Sequence, residues 1–216
     1  MSEEFVILVD GNDNPIGKEE KVRCHLPNGK LHRAFTALLF DNDGRLVLTR
    51  RAKEKMLWPG YWDGTFASHP REGETYVSSG ERRMPEELGI GGKLDYLYKF
   101  EYHVSYKDVG SENEVCGTLI GITEGAEKLQ KIEGEIDGIK LISAKDLLLE
   151  IREKPEIYCP WMLIALEFLG RADESTLKKY GDALSAWISG EMHEAVLEAI
   201  NLHLAEDKWR FINEED

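Results

Sequence analysis

The tetrapeptide Asp41-Asn-Asp-Gly44 sets turn-forming residues between two strand-like runs, Ala34–Phe40 and Arg45–Arg50. Asx and glycine residues at such a junction reverse a chain tightly, so the two runs are predicted to form a hairpin. Within the second run Leu46 and Leu48 share one face and Val47 and Thr49 the other, as the two-residue period of a strand requires. A β-rich first third is therefore the starting point. It opens with a strand at Phe5–Asp10 and the turn cluster Gly11–Pro15. Beyond Gly73-Glu74 the pattern changes to a helix ending at Leu88, with Gly89 placed to close it and Pro85 placed to kink or shorten its last turn.

Three further strands are predicted near Leu97–Val104, Glu114–Ile122 and Ile139–Ile142, followed by helices over Ala144–Glu153 and Trp161–Leu169. From Ala172 onward no strand pattern is visible. Met192, Val196, Ile200 and Leu204 recur every four residues, which predicts an amphipathic helix. Residues 172–216 read as two helices that dock near the Trp161 helix, against the mouth of any pocket there. Strands interrupted by one helix, with helices late, give an α+β or layered α/β/α domain.

Charge narrows the range of partners. With 27 basic and 41 acidic residues the chain carries a formal charge of −14, so a phosphodiester backbone is repelled and nucleic acid is not an expected partner. No apolar run approaches the ~20 residues of a membrane span. Met1–Phe5 has neither the basic nor the apolar part of a secretory signal, and the 3 cysteines form no CxxC pair. These features predict a cytoplasmic protein, monomeric or weakly dimeric, with a small-molecule ligand and no membrane partner.

Two constellations carry chemistry. In the first, Glu74, Arg82, Met84, Glu86, Glu87, Gly89 and Ile90 fall at fixed spacing around the predicted helix. Arg82–Glu86 and Arg83–Glu87 are pairs four residues apart on one helix. Carboxylates so grouped can hold Mg²⁺ against a diphosphate. This segment resembles the Nudix box, with Ser68 in place of its first glycine and Arg83 in place of the glutamate after arginine. In the second, His25, His32 and His69, with Glu112 and Glu114 two residues apart, make a mixed nitrogen and oxygen set suited to Mn²⁺, Mg²⁺ or Zn²⁺.

His32-Arg-Ala-Phe35, Arg50-Arg51-Ala52, Lys55, Trp58-Pro-Gly60, Ser68-His-Pro70, Glu112-Asn-Glu-Val-Cys116 and Pro160-Trp-Met162 occur in one order. Together they resemble type I isopentenyl-diphosphate isomerases, a branch of the Nudix superfamily, over about residues 5–170. The resemblance implies a Nudix fold, an α/β/α sandwich with a mixed sheet and a loop-helix-loop. It gives a domain over 1–170 and a C-terminal helical extension over 171–216. By the same resemblance His25, His32, His69, Glu112 and Glu114 are metal ligands (Mn²⁺ or Zn²⁺) and Glu87 helps hold Mg²⁺. Lys21, Arg51, Lys55 and Arg83 bind the diphosphate, while Ser68, Tyr102 and Trp161 line the pocket, Trp161 facing a carbocation-like centre.

One departure bears on function. The family pattern has a proton-transferring cysteine two residues before His69, where this chain has Ala67. Each general acid–base step contributes ~10²–10⁴-fold, and alanine transfers no proton. The expectation that follows is a metal-dependent hydrolase of isopentenyl or dimethylallyl diphosphate, releasing the monophosphate, with Glu114, Glu87 and Glu86 as catalytic carboxylates. The alternatives are an isopentenyl-diphosphate isomerase with Cys24, Cys116 or Ser68 as replacement acid, and a catalytically inactive prenyl-diphosphate-binding protein.

Overall fold

The turn at Asp41–Gly44 forms, yet the hairpin it closes is short. Asp41 accepts the Gly44 N–H at 3.0 Å through its carbonyl, and its carboxylate accepts the N–H groups of Asp43 and Arg45. The flanking strands, β3 (His32–Phe40) and β4 (Leu46–Arg51), then pair in the sheet only at Phe40 and Leu46. From there they splay. β3 pairs in parallel with β8 (Gly110–Ile122) from His32↔Glu114 to Phe40↔Ile122, and β4 pairs with β9 (Ile136–Ile142). Burial explains this: β3 is covered on both faces almost throughout, and such a strand takes a central place with a parallel partner.

The computed structural model describes residues 4–124, 126–181, 184–205 and 208–212. Its mixed sheet runs β10 (Trp209–Ile212), β7 (Asp95–Tyr106), β8, β3, β1 (Phe5–Val9), β2 (Pro15–Glu20). The short β6 (Phe66–Ser68) also pairs with β3, and β5 (Trp62–Asp63) pairs with β4. On one face lies α2 (Tyr76–Leu88), capped by the reciprocal bonds of Thr75 and Ser78 and closed by Gly89 at φ 71°. The helix continues through Pro85 to Leu88, so the expected shortening is absent. Gly80 lets α2 sit close on the sheet: a Cβ there would stand 2.5 Å from Leu119 Cδ1 and 2.6 Å from Leu94 Cδ1. Phe35, Ala37, Leu39, Met84, Leu88 and Leu119 fill this layer.

The other face is covered by α3 (Ala144–Glu153), α4 (Pro160–Phe168) and α6 (Gly190–His203). Met192, Val196 and Ile200 of α6 are buried against them, each contributing about 1.5–3 kcal/mol if fully withdrawn from water. A short α5 (Glu174–Tyr180) precedes α6. Trp187 lies between, packed on Phe40 and donating its indole N–H to the Gly44 carbonyl at 3.0 Å. The C-terminal region also holds β10, which the sequence reading did not anticipate; it pairs antiparallel with β7 from Trp209↔Tyr102 to Ile212↔Lys99. Four residues are too few for alternation to stand out, and what recruits them is the open edge of β7. Among the described residues no helix is long and apolar enough to cross a membrane.

Candidate active site

At the His32 end of β3 the sheet, α1 (Lys21–His25), α2 and α4 enclose a cavity of roughly 340 Å³. The three histidines come from different elements; His25 and His69 line the cavity, and His32 is buried beside them. α1 begins at the Glu20 carboxylate, which caps Val22 and Arg23, and ends at His25. His25 turns its Nδ1 to the Lys21 carbonyl at 2.6 Å, one helical turn back. His32 opens β3 with its Nδ1 on the Lys30 carbonyl at 2.8 Å. A ring nitrogen facing a carbonyl carries the proton, which leaves the Nε2 lone pair of both rings pointing inward. His69 follows β6, and its Nε2 lies 3.2 Å from His32 Nε2. Glu114 Oε1 stands 3.4 Å from His32 Nε2 and 3.5 Å from His69 Nε2, while Glu112 Oε2 is 3.0 Å from His25 Nε2.

One ligand atom from each of His25, His32, His69 and Glu114 lies within 4.8 Å of the others. Lone pairs that converge at such distances repel unless a cation or proton sits among them, and an imidazole–carboxylate set suits a divalent ion. The residues therefore fit a metal ion. Burial, followed by the positive neighbours Lys21, His32 and His25, pushes His69 well below its usual range, so it stays in the neutral, ligating form. Burial acts against protonation of His32 too, but Cys24 and Glu114 overcome it and raise that ring well above its usual value.

Glu114 also receives the Tyr102 hydroxyl on Oε2 at 2.6 Å. Although burial opposes it, His32 and Tyr102 hold the Glu114 carboxyl below the usual carboxylate range. Burial and the same carboxylate drive the Tyr102 hydroxyl far upward, so its proton stays on the phenol and points at Glu114. The pair holds one proton between two oxygens on the wall of the cavity. Trp161, from the first turn of α4, lies 6.3 Å from the Tyr102 ring, centre to centre.

Lys21, Arg51, Lys55 and Arg83 all line the same cavity. Carboxylates hold each of them: Lys21 pairs with Glu4 at 3.0 Å, Arg51 with Asp63 at 3.2 Å, and Lys55 with Glu135. Arg83 bridges Glu86 and Glu87 at 2.6 Å each and approaches Glu135 at 3.8 Å. The pair Arg82–Glu86 closes at a looser 3.5 Å, because Arg82 chiefly binds Glu74 and reaches the His69 carbonyl. Glu87 is buried on the cavity wall, and burial raises its carboxyl above the usual range. Glu86 stands outside the cavity with a half-exposed carboxylate, so no geometry supports pairing it with Glu87 in catalysis.

Ala67 lines the cavity on β6, opposite Thr36 of β3, and Ser68 and Cys116 line it nearby. Cys24 does not; its thiol is turned to the Lys30 carbonyl at 3.6 Å. No described residue of the C-terminal region lines the cavity, so α6 docks on α4 without capping the pocket. Sequence reasoning missed Asp63 and Glu135. An acid between Trp62 and Gly64, in an otherwise apolar stretch, was a signal for the first; Glu135 sits in a charged loop and offered none.

The NUDIX domain family model matches residues 30–162. The isopentenyl-diphosphate Delta-isomerase of Haloarcula marismortui is 41% identical over 170 residues, 74% of this chain and 88% of that one. The enzyme of that name from Halobacterium salinarum is 40% identical over 179 residues, 78% of this chain and 82% of its own. Isopentenyl-diphosphate Delta-isomerase 1 of Photorhabdus laumondii is 38% identical over 160 residues, 73% of this chain and 90% of its own. Among solved structures, DR0079 from Deinococcus radiodurans superposes with a TM-score of 0.56 at 20% identity, over 68% of this chain and 88% of that one, which speaks for the fold alone. These relatives overturn the expectation of a prenyl-diphosphate hydrolase, since the three curated proteins bear the isomerase name. The chain belongs to the NUDIX family, in its isopentenyl-diphosphate isomerase-like branch.

Proposed function

We propose that the protein shifts the double bond of isopentenyl diphosphate to give dimethylallyl diphosphate. The observation that carries this reading is the Tyr102–Glu114 hydrogen bond of 2.6 Å on a wall shared with Trp161 and four cations. In this reading Lys21, Arg51, Lys55 and Arg83 hold the diphosphate by charge-assisted hydrogen bonds, which fixes the five-carbon tail toward Trp161. The Tyr102–Glu114 pair delivers a proton to the terminal alkene carbon, and positive charge develops on the neighbouring carbon. The indole of Trp161 stabilises that charge, by ~2 kcal/mol or more in a desolvated site. Loss of a proton from the adjacent CH₂ back to the Tyr102–Glu114 pair, left one proton short, then forms the new double bond and restores the pair; Ser68 and Cys116 line the cavity with Ala67. When bound, a divalent ion on His25, His32, His69, Glu112 and Glu114 would tune the acidity of the pair, and Mg²⁺ at Glu87 would neutralise diphosphate charge.

The test is incubation with isopentenyl diphosphate and Mg²⁺, with products separated by chromatography. Dimethylallyl diphosphate without phosphate release is the expected product, and Glu114→Gln should slow its formation by ~10²–10⁴-fold. Metal-loaded, folded protein that makes none would overturn the reading. A second reading, an inactive prenyl-diphosphate-binding protein, is favoured by the methyl group of Ala67 facing the cavity. It predicts ligand-induced stabilisation without product, and product only after Ala67→Cys.

A further inference from the structure

Behind Trp161 lies a buried acid that no part of the proposed reaction uses. Asp63, only 2% exposed on β5, accepts the Trp161 indole N–H on Oδ1 at 2.7 Å and its neighbour Gly64 N–H at 2.7 Å. Its Oδ2 accepts Arg51 Nη1 at 3.2 Å. Burial pushes the carboxyl upward, with Arg51 and Trp161 opposing. Every one of these contacts is a donor, and a protonated carboxyl would set its own O–H against them, so the ionised form is the one this site satisfies.

Trp161 is also close to a fixed positive charge. The Arg51 guanidinium lies 5.1 Å from the indole centroid, pinned by the carbonyls of Leu57 (2.9 Å) and Trp58 (3.2 Å). An uncompensated guanidinium at that distance would offset the attraction of the ring for a second cation. A carboxylate on the indole N–H does the opposite, moving electron density onto the ring.

We propose that Asp63 is a positioning residue that makes Trp161 a stronger cation-binding face, by polarising its indole N–H and by neutralising Arg51 beside it. This rests on the isomerase reading, in which positive charge forms next to Trp161, and it adds a residue that sets how strongly that charge is held. Asp63→Asn retains the size of the side chain and an acceptor for the indole while removing the charge.

The experiment compares two diphosphates of the same skeleton in the presence of Mg²⁺. In one the branched carbon is saturated and neutral; in the other a tertiary ammonium nitrogen replaces it. The ratio of their dissociation constants isolates the cation, since changes at the diphosphate, including any in Arg51, affect both ligands alike. Asp63→Asn should lower the preference for the ammonium ligand about tenfold, with a change of under about twofold in a Trp161→Phe background. Two results would overturn the proposal: both ligands weakening together, or an equal loss of preference in the two backgrounds, which marks a direct charge effect. Should Asp63→Asn fail to fold, 5-fluorotryptophan in the unsubstituted chain weakens the indole face with Asp63 in place. It should lower the ratio about two- to threefold, and an unmoved ratio counts against the indole. The ratio is an equilibrium quantity, so a protein that makes no dimethylallyl diphosphate yet shows the loss would refute the isomerase reading alone.

Discussion

The histidine cluster and the cation rim face one cavity but are built on opposite electrostatic plans. In the cluster, backbone carbonyls of Lys21 and Lys30 orient His25 and His32 so that their Nε2 atoms converge, and the neutral His69 closes on His32 at 3.2 Å. Such a site calls for a cation or a proton among its lone pairs. In the rim, Lys21, Lys55 and Arg83 are already matched by Glu4, Glu135 and Glu87. Such a site is neutral at rest, and an anion must displace carboxylates to enter. The difference shows how a chain of charge −14 keeps four cations on one cavity: carboxylates screen them locally.

The largest expected effect breaks the comparison at the cluster. His32 is fully buried and its Nε2 faces both His69 and Glu114, so His32→Ala should lower the affinity for Mn²⁺ or Zn²⁺ by about 100-fold or more in calorimetric titration. Diphosphate binding at the rim should change far less. Unchanged metal affinity would mean that the convergence of lone pairs is not a metal site.

An intermediate effect concerns Arg82, which joins the two regions by binding Glu74 at 2.6 Å while reaching the His69 carbonyl. The hydrogen bond from Arg82 lowers the Glu74 carboxyl to about 2. A carboxyl depressed on folding adds stability that is complete above its ordinary value and is lost as pH falls from about 4.5 toward 2. With solvent screening at this partly exposed pair, about 1–2 kcal/mol is at stake. Arg82→Ala should remove that share of the acid dependence in denaturant titrations at pH 5 and pH 3; an identical slope in both proteins would show the pair to be inert.

The smallest effect sharpens the picture of the rim. Glu135→Gln frees Lys55 and should tighten inorganic diphosphate about two- to fivefold, the scale of a partly exposed ion pair. Weaker binding would assign Glu135 to holding the cations in place rather than to screening them.

Local signals in the chain were enough for α2 and its Gly89 stop, and for α3, whose span agrees with the predicted Ala144–Glu153. Seven box residues were visible because spacing along one helix is a short-range property, whereas the three histidines, spread over separate elements, stood out through the family resemblance. What lay beyond reach came from distant pairings. Asp63 meets Trp161 only because β5 sits beneath the start of α4, 98 positions apart. β10 is a strand only because β7 has a free edge, and Lys55 meets Glu135 across 80 residues. The hairpin shows both limits at once. Its turn is dictated by Asp41-Asn-Asp-Gly44, whereas the partners of its strands were decided by which sheet position could bury both faces of β3. By itself the sequence determined the turns, caps and ligand types, because those depend on neighbouring residues and backbone torsions. The tertiary structure alone decided which acid faces which base, since burial and Coulomb interaction depend on distances that only long-range packing sets.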